Sequence, residues 1–166
     1  MSNFEIREIT SAQSRIYKDF TAQGFTEDAN AFRIAPEDDV DAPFPTNDTE
    51  DSFTLGMYEN NVLAGVVSFE RDGKNRRKLR HKGILFRMYV SSKFRGKGYS
   101  KLLMKAVIER VKKIKDIEQI NLTVISSNEA AKSLYKQYNF VTYSSEKNAV
   151  KWNGSYLDED SMALKL

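Results

Sequence analysis

The amino-acid sequence predicts an α/β fold with a mixed β-sheet, and three observations lead to this prediction. The second half of the chain alternates strand-like runs, rich in β-branched residues, with two amphipathic helical segments. The first half holds a strand, a helical segment and two further strand-like runs. The 166 residues, 40% hydrophobic and 30% charged, have the composition of an ordinary globular domain, so one domain over residues 1–166 is expected.

The first half is predicted to open with a strand and a helix. Phe4 to Thr10 alternates as a strand, and residues 11–22 follow as a helix capped by Thr10 or Ser11. The stretch from Pro36 to Asp51 contains all three prolines and seven acidic residues, which favours a long surface loop. Such clustered carboxylates attract cations, but a solvated, mobile loop is the simpler interpretation.

The middle of the chain is predicted to form a hairpin and a basic connection. Strands from Phe53 to Tyr58 and from Val62 to Arg71 flank Asn60-Asn61, a pair typical of two-residue turns. Arg71 to Lys82 is strongly basic but lacks interleaved aromatic residues, so a solvated loop is favoured over a nucleic-acid surface. The remaining predicted elements are strand 84–90, helix 98–115, strand 119–125, helix 128–138 and strands near 140–146 and 161–166.

Composition excludes several kinds of site. The chain has no cysteine, which excludes disulfides, thiolate metal sites and a cysteine nucleophile. A single histidine, His81, argues against a zinc site, so no metal is expected. The net charge of +3 is too small to indicate nucleic acid as a partner. No apolar run is long enough to span a membrane and no signal core is evident, so a cytoplasmic protein without a membrane partner is the default expectation.

The segment Arg95-Gly96-Lys97-Gly98-Tyr99-Ser100 joins strand 84–90 to helix 98–115. A glycine-bearing turn that opens into a helix presents unpaired backbone N–H groups at the positive end of the helix dipole. Glycine lets the backbone approach an anion closely, and the Arg and Lys side chains add positive charge. The segment therefore predicts a site for a phosphate or pyrophosphate.

Spacing separates three phosphate-binding patterns. The nucleoside-triphosphate pattern G-x-x-x-x-G-K-[ST] is absent, and the dinucleotide fingerprint has Lys101 where its third glycine should stand. The third pattern, Arg/Gln-x-x-Gly-x-Gly/Ala, fits as Arg95-x-x-Gly98-x-Ser100, with serine as the last small residue. In this the segment resembles the acyl-CoA loop of the GNAT N-acetyltransferases.

A second segment resembles the same family. Asn128-x-x-Ala131-x-x-Leu134-Tyr135-x-x-x-Asn139-Phe140 is similar to the family's Asn-x-x-Ala-x-x-Leu-Tyr-x-x-x-Gly-Phe segment. Asn139 replaces the glycine, and asparagine is the next best residue for a left-handed helix C-cap. The tail around Trp152-Asn153-Gly154 resembles the closing hairpin of the family, so the resemblance extends from Thr54 to Leu166.

The resemblance implies a GNAT-like fold in which the strands before the two motifs part at one end. It also implies acetyl-CoA as cosubstrate and a primary amine, favoured to be a small molecule, as acceptor. The pantetheine arm would lie beside Met88, Tyr89 and Val90. Asn128 would bond a pantetheine amide, and its alternative role is to cap the helix that follows; different atoms could serve both roles. The residues implied to hold the pyrophosphate are Arg95, Gly96, Lys97, Gly98, Tyr99 and Ser100.

Tyr135 is the predicted catalytic residue, as the general acid for the departing thiolate, with packing against the sheet as its alternative role. Some family members carry a glutamate ten positions before the loop, where this chain has Leu85. Glu70, His81 or a water chain therefore remain open as the route by which the amine loses its proton. A peptide or protein acceptor, a non-catalytic acyl-CoA-binding module and a homodimer also remain open. Trp152 and Tyr156 are candidates for the acceptor pocket.

Overall fold

A seven-stranded mixed sheet forms the frame of the protein in a computed structural model that describes residues 3–73 and 76–166. Its strands are β1 Phe4–Ile9, β2 Ser52–Glu59, β3 Val62–Arg71, β4 Lys82–Val90, β5 Gln119–Ile125, β6 Val141–Trp152 and β7 Ser155–Lys165. The order across the sheet is β1-β2-β3-β4-β5-β7-β6. Among the strands of the described residues only the β4–β5 pair is parallel, so the predicted mixed sheet is confirmed.

Helices cover the two faces of this sheet. They are α1 Ser14–Glu27, α2 Pro36–Asp39, α3 Tyr99–Val111 and α4 Glu129–Gln137. Side chains of α3 and the end of α4 pack with Val67 of β3 in the larger core cluster, whereas α1 packs with Val66 in a second cluster. Because successive strand residues point to opposite faces, α3 and α4 lie on one face of the sheet and α1 on the other.

Turn chemistry explains the hairpins. Asn60 and Asn61 both have positive φ, at 49° and 66°, as the two-residue turn between β2 and β3 requires. Asn153 and Gly154, at 49° and 79°, make the corresponding turn between β6 and β7. That last hairpin is longer than the sequence predicted, because β6 runs for 12 residues and β7 for 11.

The helices differ from the prediction mainly at their ends. The first begins as a 3₁₀ turn at Ser11–Gln13, where the backbone N–H of Thr10 donates to Gln13 Oε1 at 3.0 Å, and α1 then continues five residues beyond the predicted end. Helix α3 ends at Val111, four residues before its predicted end. The basic connection contains a 3₁₀ turn at Arg77–Leu79, and part of this connection, residues 74–75, lies outside the described residues.

The acidic stretch is partly buried, which corrects its interpretation as a solvated loop. Pro36 starts the single turn α2, which carries Asp39 inward until only 5% of it is exposed. The Lys18 ammonium donates to the carbonyls of Val40 and Ala42, fastening the stretch to α1. Composition indicated solvation, but the buried Asp39 carboxylate pairs with the guanidinium of Arg87.

Strands β4 and β5 pair only at their beginning. Their register covers Lys82–Gln119, Gly83–Ile120 and Ile84–Asn121, after which the strands separate. The expected parting of these strands is therefore present, and it leaves the backbone of residues 85–90 without a strand partner on the β5 side. Within the described residues, no helix is long and apolar enough to cross a bilayer.

Candidate functional site

A cleft of about 940 Å³ occupies the gap between β4 and β5. Its walls come from the second half of β4, the turn before α3, the first turns of α4, residues 26–32 after α1 and the β6–β7 turn. The sequence-predicted residues that line it are Met88, Tyr89, Val90, Arg95, Gly96, Gly98, Tyr99, Ser100, Asn128 and Tyr135. Lys97 is the exception, because its ammonium donates to both carboxylate oxygens of Glu59, at 2.9 and 2.8 Å.

A β-bulge in β4 lies on the wall of the cleft. Val66 pairs with Tyr89 and Ser68 pairs with Phe86, so that Val67 faces two residues, Arg87 and Met88. Arg87 has φ of 53°, a left-handed conformation that is uncommon for arginine. A bulge leaves one residue of the ladder unpaired and bends the strand, so backbone polar groups here are available to a ligand. The sequence carries no signal for this feature.

The turn between β4 and α3 exposes backbone N–H groups. Gly96 and Gly98 both have φ of 78°, and a Cβ added to either would meet no described atom within 4 Å. Gly98 is the N-cap of α3 and has no side chain to occupy the helix end; the first intrahelical bond runs from Leu102 N to Gly98 O at 3.1 Å. The N–H groups that precede Leu102 in the helix therefore face the cleft without an intrahelical acceptor.

The basic side chains of this turn are fixed by contacts within the protein. Arg95 donates through Nε to the Val90 carbonyl at 3.1 Å and through Nη2 to Asp28 Oδ2 at 2.6 Å. Together with the Lys97–Glu59 pair, these contacts neutralise both cations locally. The capacity of the turn to bind an anion thus rests on its backbone N–H groups and on the α3 dipole.

Asn128 and Asp160 set the start of α4. Asn128 Oδ1 accepts from Ala131 N at 3.1 Å, which makes Asn128 the N-cap of the helix. Asp160 of β7 accepts from Ser126 and Ser145, at 2.7 and 2.8 Å, and pairs with Lys132 at 2.9 Å. These three donors, Lys132 foremost, lower the pKa of Asp160 to about 2.

Replacing Asp160 by asparagine is expected to cost about 2 kcal/mol of stability at pH 7, the free energy equivalent of its lowered pKa. A depressed folded-state pKa contributes stability that is complete above the unfolded value near 3.8 and is lost as the pH falls towards 2. Urea unfolding at pH 7 and pH 2 measures the difference, which should shrink at the lower pH. Asp158→Asn is the control, because its Lys147 partner is solvent-exposed and its loss should be much smaller.

Tyr135 lies in the first core cluster and on the cleft wall. Its ring packs on Phe140 with centroids 5.9 Å apart, and 6% of the residue is exposed. Burial raises the pKa of Tyr135 to about 12, so the phenol stays protonated throughout the physiological pH range. Both roles considered from the sequence are thus compatible with its position, since the ring packs in the core while the residue borders the cleft.

The opposite wall holds Tyr89 together with two carboxylates, Glu27 and Asp28, that the sequence did not single out. Tyr89 packs under α1 at Gly24, where an added Cβ would lie 2.8 Å from its ring, and its buried hydroxyl has no hydrogen-bond partner among the described residues. Burial, followed by the carboxylates of Asp28 and Glu27, raises the pKa of Tyr89. Both carboxylates line the cleft. They escaped prediction because they end a helix that the sequence pattern made too short.

The remaining candidates divide between the cleft and other places. Trp152 lines the cleft, whereas Tyr156 is 55% exposed and is not among its described lining residues. Glu70 pairs in register with Ile84, and His81 is exposed just before β4, so both lie towards the end where β4 and β5 are still paired. The described residues contain no group of three or more His, Asp or Glu side chains placed to hold a metal ion.

A model of the acetyltransferase (GNAT) family matches residues 14–140, most of the chain. The protein belongs to the GNAT acetyltransferase family. The match begins at the start of α1, upstream of the region in which the motifs were recognised, and ends at Phe140, which closes the second motif. Membership supports an acyltransferase activity. No curated protein matched the sequence.

Solved structures share the fold. A GNAT-family acetyltransferase from Streptococcus pneumoniae superposes with a TM-score of 0.87 at 21% identity, covering 99% of each chain. The protein yncA from Salmonella typhimurium, solved with its cofactor acetyl-CoA, gives 0.80 at 21% identity over 99% of this chain and 95% of its own. The ribosomal-protein-S18-alanine N-acetyltransferase of Escherichia coli gives 0.73 at 17% identity, covering 98% and 94%. The GNAT-like fold expected from the two motifs is therefore confirmed.

Departures from the GNAT pattern are accommodated locally. Asn139, which replaces the glycine of the second motif, has φ of 66° and ends α4 in the left-handed conformation predicted for it. Leu85, which stands where some members carry glutamate, is 2% exposed and belongs to the core on the α3 side. A carboxylate at this position would be buried among apolar side chains, so the leucine suits its surroundings.

Proposed function

We propose that the protein is an N-acetyltransferase that transfers the acetyl group of acetyl-CoA to the primary amine of a small molecule. The observation that carries the proposal is the continuous cleft that runs from the N-terminus of α3, along the unpaired edge of β4, to Tyr135. An anion site, a strand edge and a buried phenol occur along it in the order in which a pyrophosphate, a pantetheine arm and a thioester follow one another in acetyl-CoA.

The cofactor is held mainly by backbone groups. The N–H groups of the Gly96–Ser100 turn bind the pyrophosphate, and the dipole of α3 favours its negative charge. The pantetheine amides pair with the free edge of residues 88–90 as an additional strand would. Asn128 uses its Oδ1 as helix cap, which leaves its amide N–H groups for a pantetheine carbonyl.

The reaction is a direct attack of a neutral amine on the thioester carbon. A C–N bond forms, the C–S bond breaks, and the thiolate receives a proton. A backbone N–H at the β4 bulge donates to the developing oxyanion, an effect worth about 3–4 kcal/mol in comparable sites. Tyr135 donates a hydrogen bond to the departing sulfur. Because neither Glu70 nor His81 is among the described residues of the cleft, the amine loses its proton to solvent.

The acceptor occupies the end of the cleft that residues 26–32 and the β6–β7 turn enclose. Phe32 and Trp152 bound this end, which favours a small molecule over an extended peptide. Glu27 contributes a carboxylate there, whereas the carboxylate of Asp28 is paired with Arg95. The negative charge of Glu27 raises the local concentration of a cationic amine.

A thermal-shift comparison of acetyl-CoA, CoA, NAD and ATP tests the cofactor. A ligand present at 100 times its dissociation constant adds about 2.7 kcal/mol of stability, or roughly 5–10 °C for a chain of this length. We expect such a shift with acetyl-CoA and CoA. A shift with NAD and none with CoA would contradict the proposal.

A thiol-release assay over polyamines, amino acids, aminoglycosides and short peptides tests the transfer. Release of CoA that depends on a small amine supports the proposal. Binding of acetyl-CoA without amine-dependent release identifies a non-catalytic binding module, and release only with peptides identifies a peptide acetyltransferase.

Two substitutions at Asn128 should separate its roles in capping and in binding. Asn128→Ala removes the cap and is expected to cost about 1 kcal/mol of stability. Asn128→Asp keeps a capping oxygen and should retain stability, but it lacks the amide donors. We therefore expect both variants to bind acetyl-CoA about tenfold more weakly, the effect of losing one hydrogen bond. Urea unfolding and calorimetric titration measure the two quantities; normal affinity in Asn128→Asp would limit this residue to capping.

A further inference from the structure

Arg87 adopts a backbone conformation that its residue type does not favour. Its φ of 53° lies in the left-handed region, which costs a residue with a Cβ free energy unless its surroundings compensate. The other non-glycine residues with positive φ are all asparagine or aspartate among those described, so Arg87 stands apart. Something in the structure must hold it there.

The side chain of Arg87 is fixed by a segment distant in the sequence. Its Nη2 lies 3.0 Å from Asp39 Oδ1, and the two side chains are 17% and 7% exposed. Arg87 also lies over the Phe25 ring, with 5.8 Å between the guanidinium carbon and the ring centroid. An ion pair that is so largely shielded from solvent resists separation, because removing Arg87 would leave the buried Asp39 carboxylate uncompensated.

The surroundings of the pair are polar and packed. Tyr17 is fully buried, and burial raises the pKa of its hydroxyl while the nearby Arg87 opposes that rise. Arg87 and Ser68 are both close to this hydroxyl, which has no hydrogen-bond partner among the described residues. Ser68 in turn bonds Thr54 at 2.8 Å. The guanidinium therefore lies among the Asp39 carboxylate, the Phe25 ring and the Tyr17 hydroxyl.

We propose that the Arg87–Asp39 ion pair is a latch that holds the β4 bulge in its left-handed conformation and so aims the bulge backbone at the thioester. Arg87 and Asp39 are positioning residues in this account, because they act through the backbone of Arg87 and Met88. The effect of the ion pair on catalysis rests on the proposed function. Its effect on the conformation of the bulge does not depend on that function. It also gives the buried carboxylate of the acidic stretch a role.

The test compares alanine and glycine at position 87. Both substitutions remove the ion pair, but glycine adopts positive φ without a side chain to hold it, whereas alanine does not. We expect Arg87→Gly to keep a kcat at least about tenfold higher than Arg87→Ala, within the range lost with one oxyanion donor. The affinity for CoA, which has no acyl carbonyl, should be equal in the two variants.

Both variants are also made with Asp39→Asn, so that no carboxylate is left buried without a partner and the pair of proteins remains foldable. Crystal structures of the two double variants provide a measurement independent of activity. We expect two residues of β4 to face Val67 in the glycine variant and regular pairing in the alanine variant. Equal kcat values, or a left-handed residue 87 retained in the alanine variant, would overturn the latch. If the natural protein transfers no acetyl group, the proposed function fails and the structures alone decide the latch.

Discussion

Replacing Gly98 by aspartate is expected to abolish binding of acetyl-CoA. The residue is the N-cap of α3, has φ of 78° and borders the cleft, with open space where a Cβ would stand. An aspartate side chain would fill that space and place a negative charge against the pyrophosphate. Two like charges about 4 Å apart repel by about 4 kcal/mol at an effective dielectric constant near 20, which is about a 10³-fold loss of affinity.

Gly98→Asn is the matched control for this substitution. Asparagine has nearly the same shape as aspartate and tolerates positive φ about as well, so both variants carry similar backbone strain and bulk. Only the charge differs. Calorimetric titration with CoA should show weakened but measurable binding for asparagine and none for aspartate. If Gly98→Asp binds CoA as the natural protein does, the pyrophosphate does not lie at this turn.

Local signals made most of the fold predictable. Asn60 and Asn61 predicted a turn that needs two residues of positive φ, and both residues have positive φ. Gly98 precedes an amphipathic run, which predicts that it starts a helix whose first backbone N–H groups have no intrahelical acceptor. It is the N-cap of α3. Asn139 can replace the glycine of the motif because asparagine tolerates the left-handed conformation, and it adopts that conformation. In each case one residue type carries the preference, so no knowledge of distant contacts was needed.

Element lengths were less predictable because tertiary contacts set them. Residues 141–148 of β6 are all exposed, so the strand has no alternation of buried and exposed positions from which its length could be predicted. Ile114 suggested that α3 continues, yet it is buried from a turn beyond the helix, where Ile114 N bonds to Val111 O at 2.9 Å. The helical spacing of Ile114 thus predicted its burial correctly, but its prediction that α3 extends to this residue was wrong.

The site features that sequence reasoning missed depend on partners far along the chain. Arg87 bonds to Asp39, which lies 48 residues earlier in the sequence. It also stands at a β-bulge, where two residues of β4 lie opposite Val67. The sequence predicts that Lys97 binds a phosphate, but its ammonium donates to the carboxylate of Glu59 in β2. Charge and spacing identify which residues lie at the turn. They do not identify which side chains are already engaged by another strand.

Replacing Tyr135 by phenylalanine is expected to lower kcat about 10²-fold, the loss typical of removing one hydrogen bond to charge that develops in the transition state, with little change in acetyl-CoA affinity. Burial raises the pKa of this phenol to about 12, against about 8.5 for a thiol, so complete proton transfer to a free thiolate would be uphill by about 5 kcal/mol. The phenol therefore contributes mainly by a hydrogen bond that strengthens as charge develops on sulfur, and the proton follows from solvent. Rates measured up to pH 10 should show no loss from ionisation of Tyr135, since the group stays protonated below its raised pKa.

Tyr138→Phe, at the C-cap of the same helix, provides the control. Its hydroxyl donates to the Lys101 carbonyl at 2.7 Å, outside the cleft, so the variant loses a phenolic hydrogen bond and about 1 kcal/mol of stability without touching the thioester. Stopped-flow turnover and CoA titration on both variants distinguish catalysis from packing. Phenylalanine at position 135 keeps the ring contact with Phe140, so a packing role alone predicts normal turnover. Equal kcat values in the two variants would therefore assign Tyr135 to the core and remove it from the chemistry.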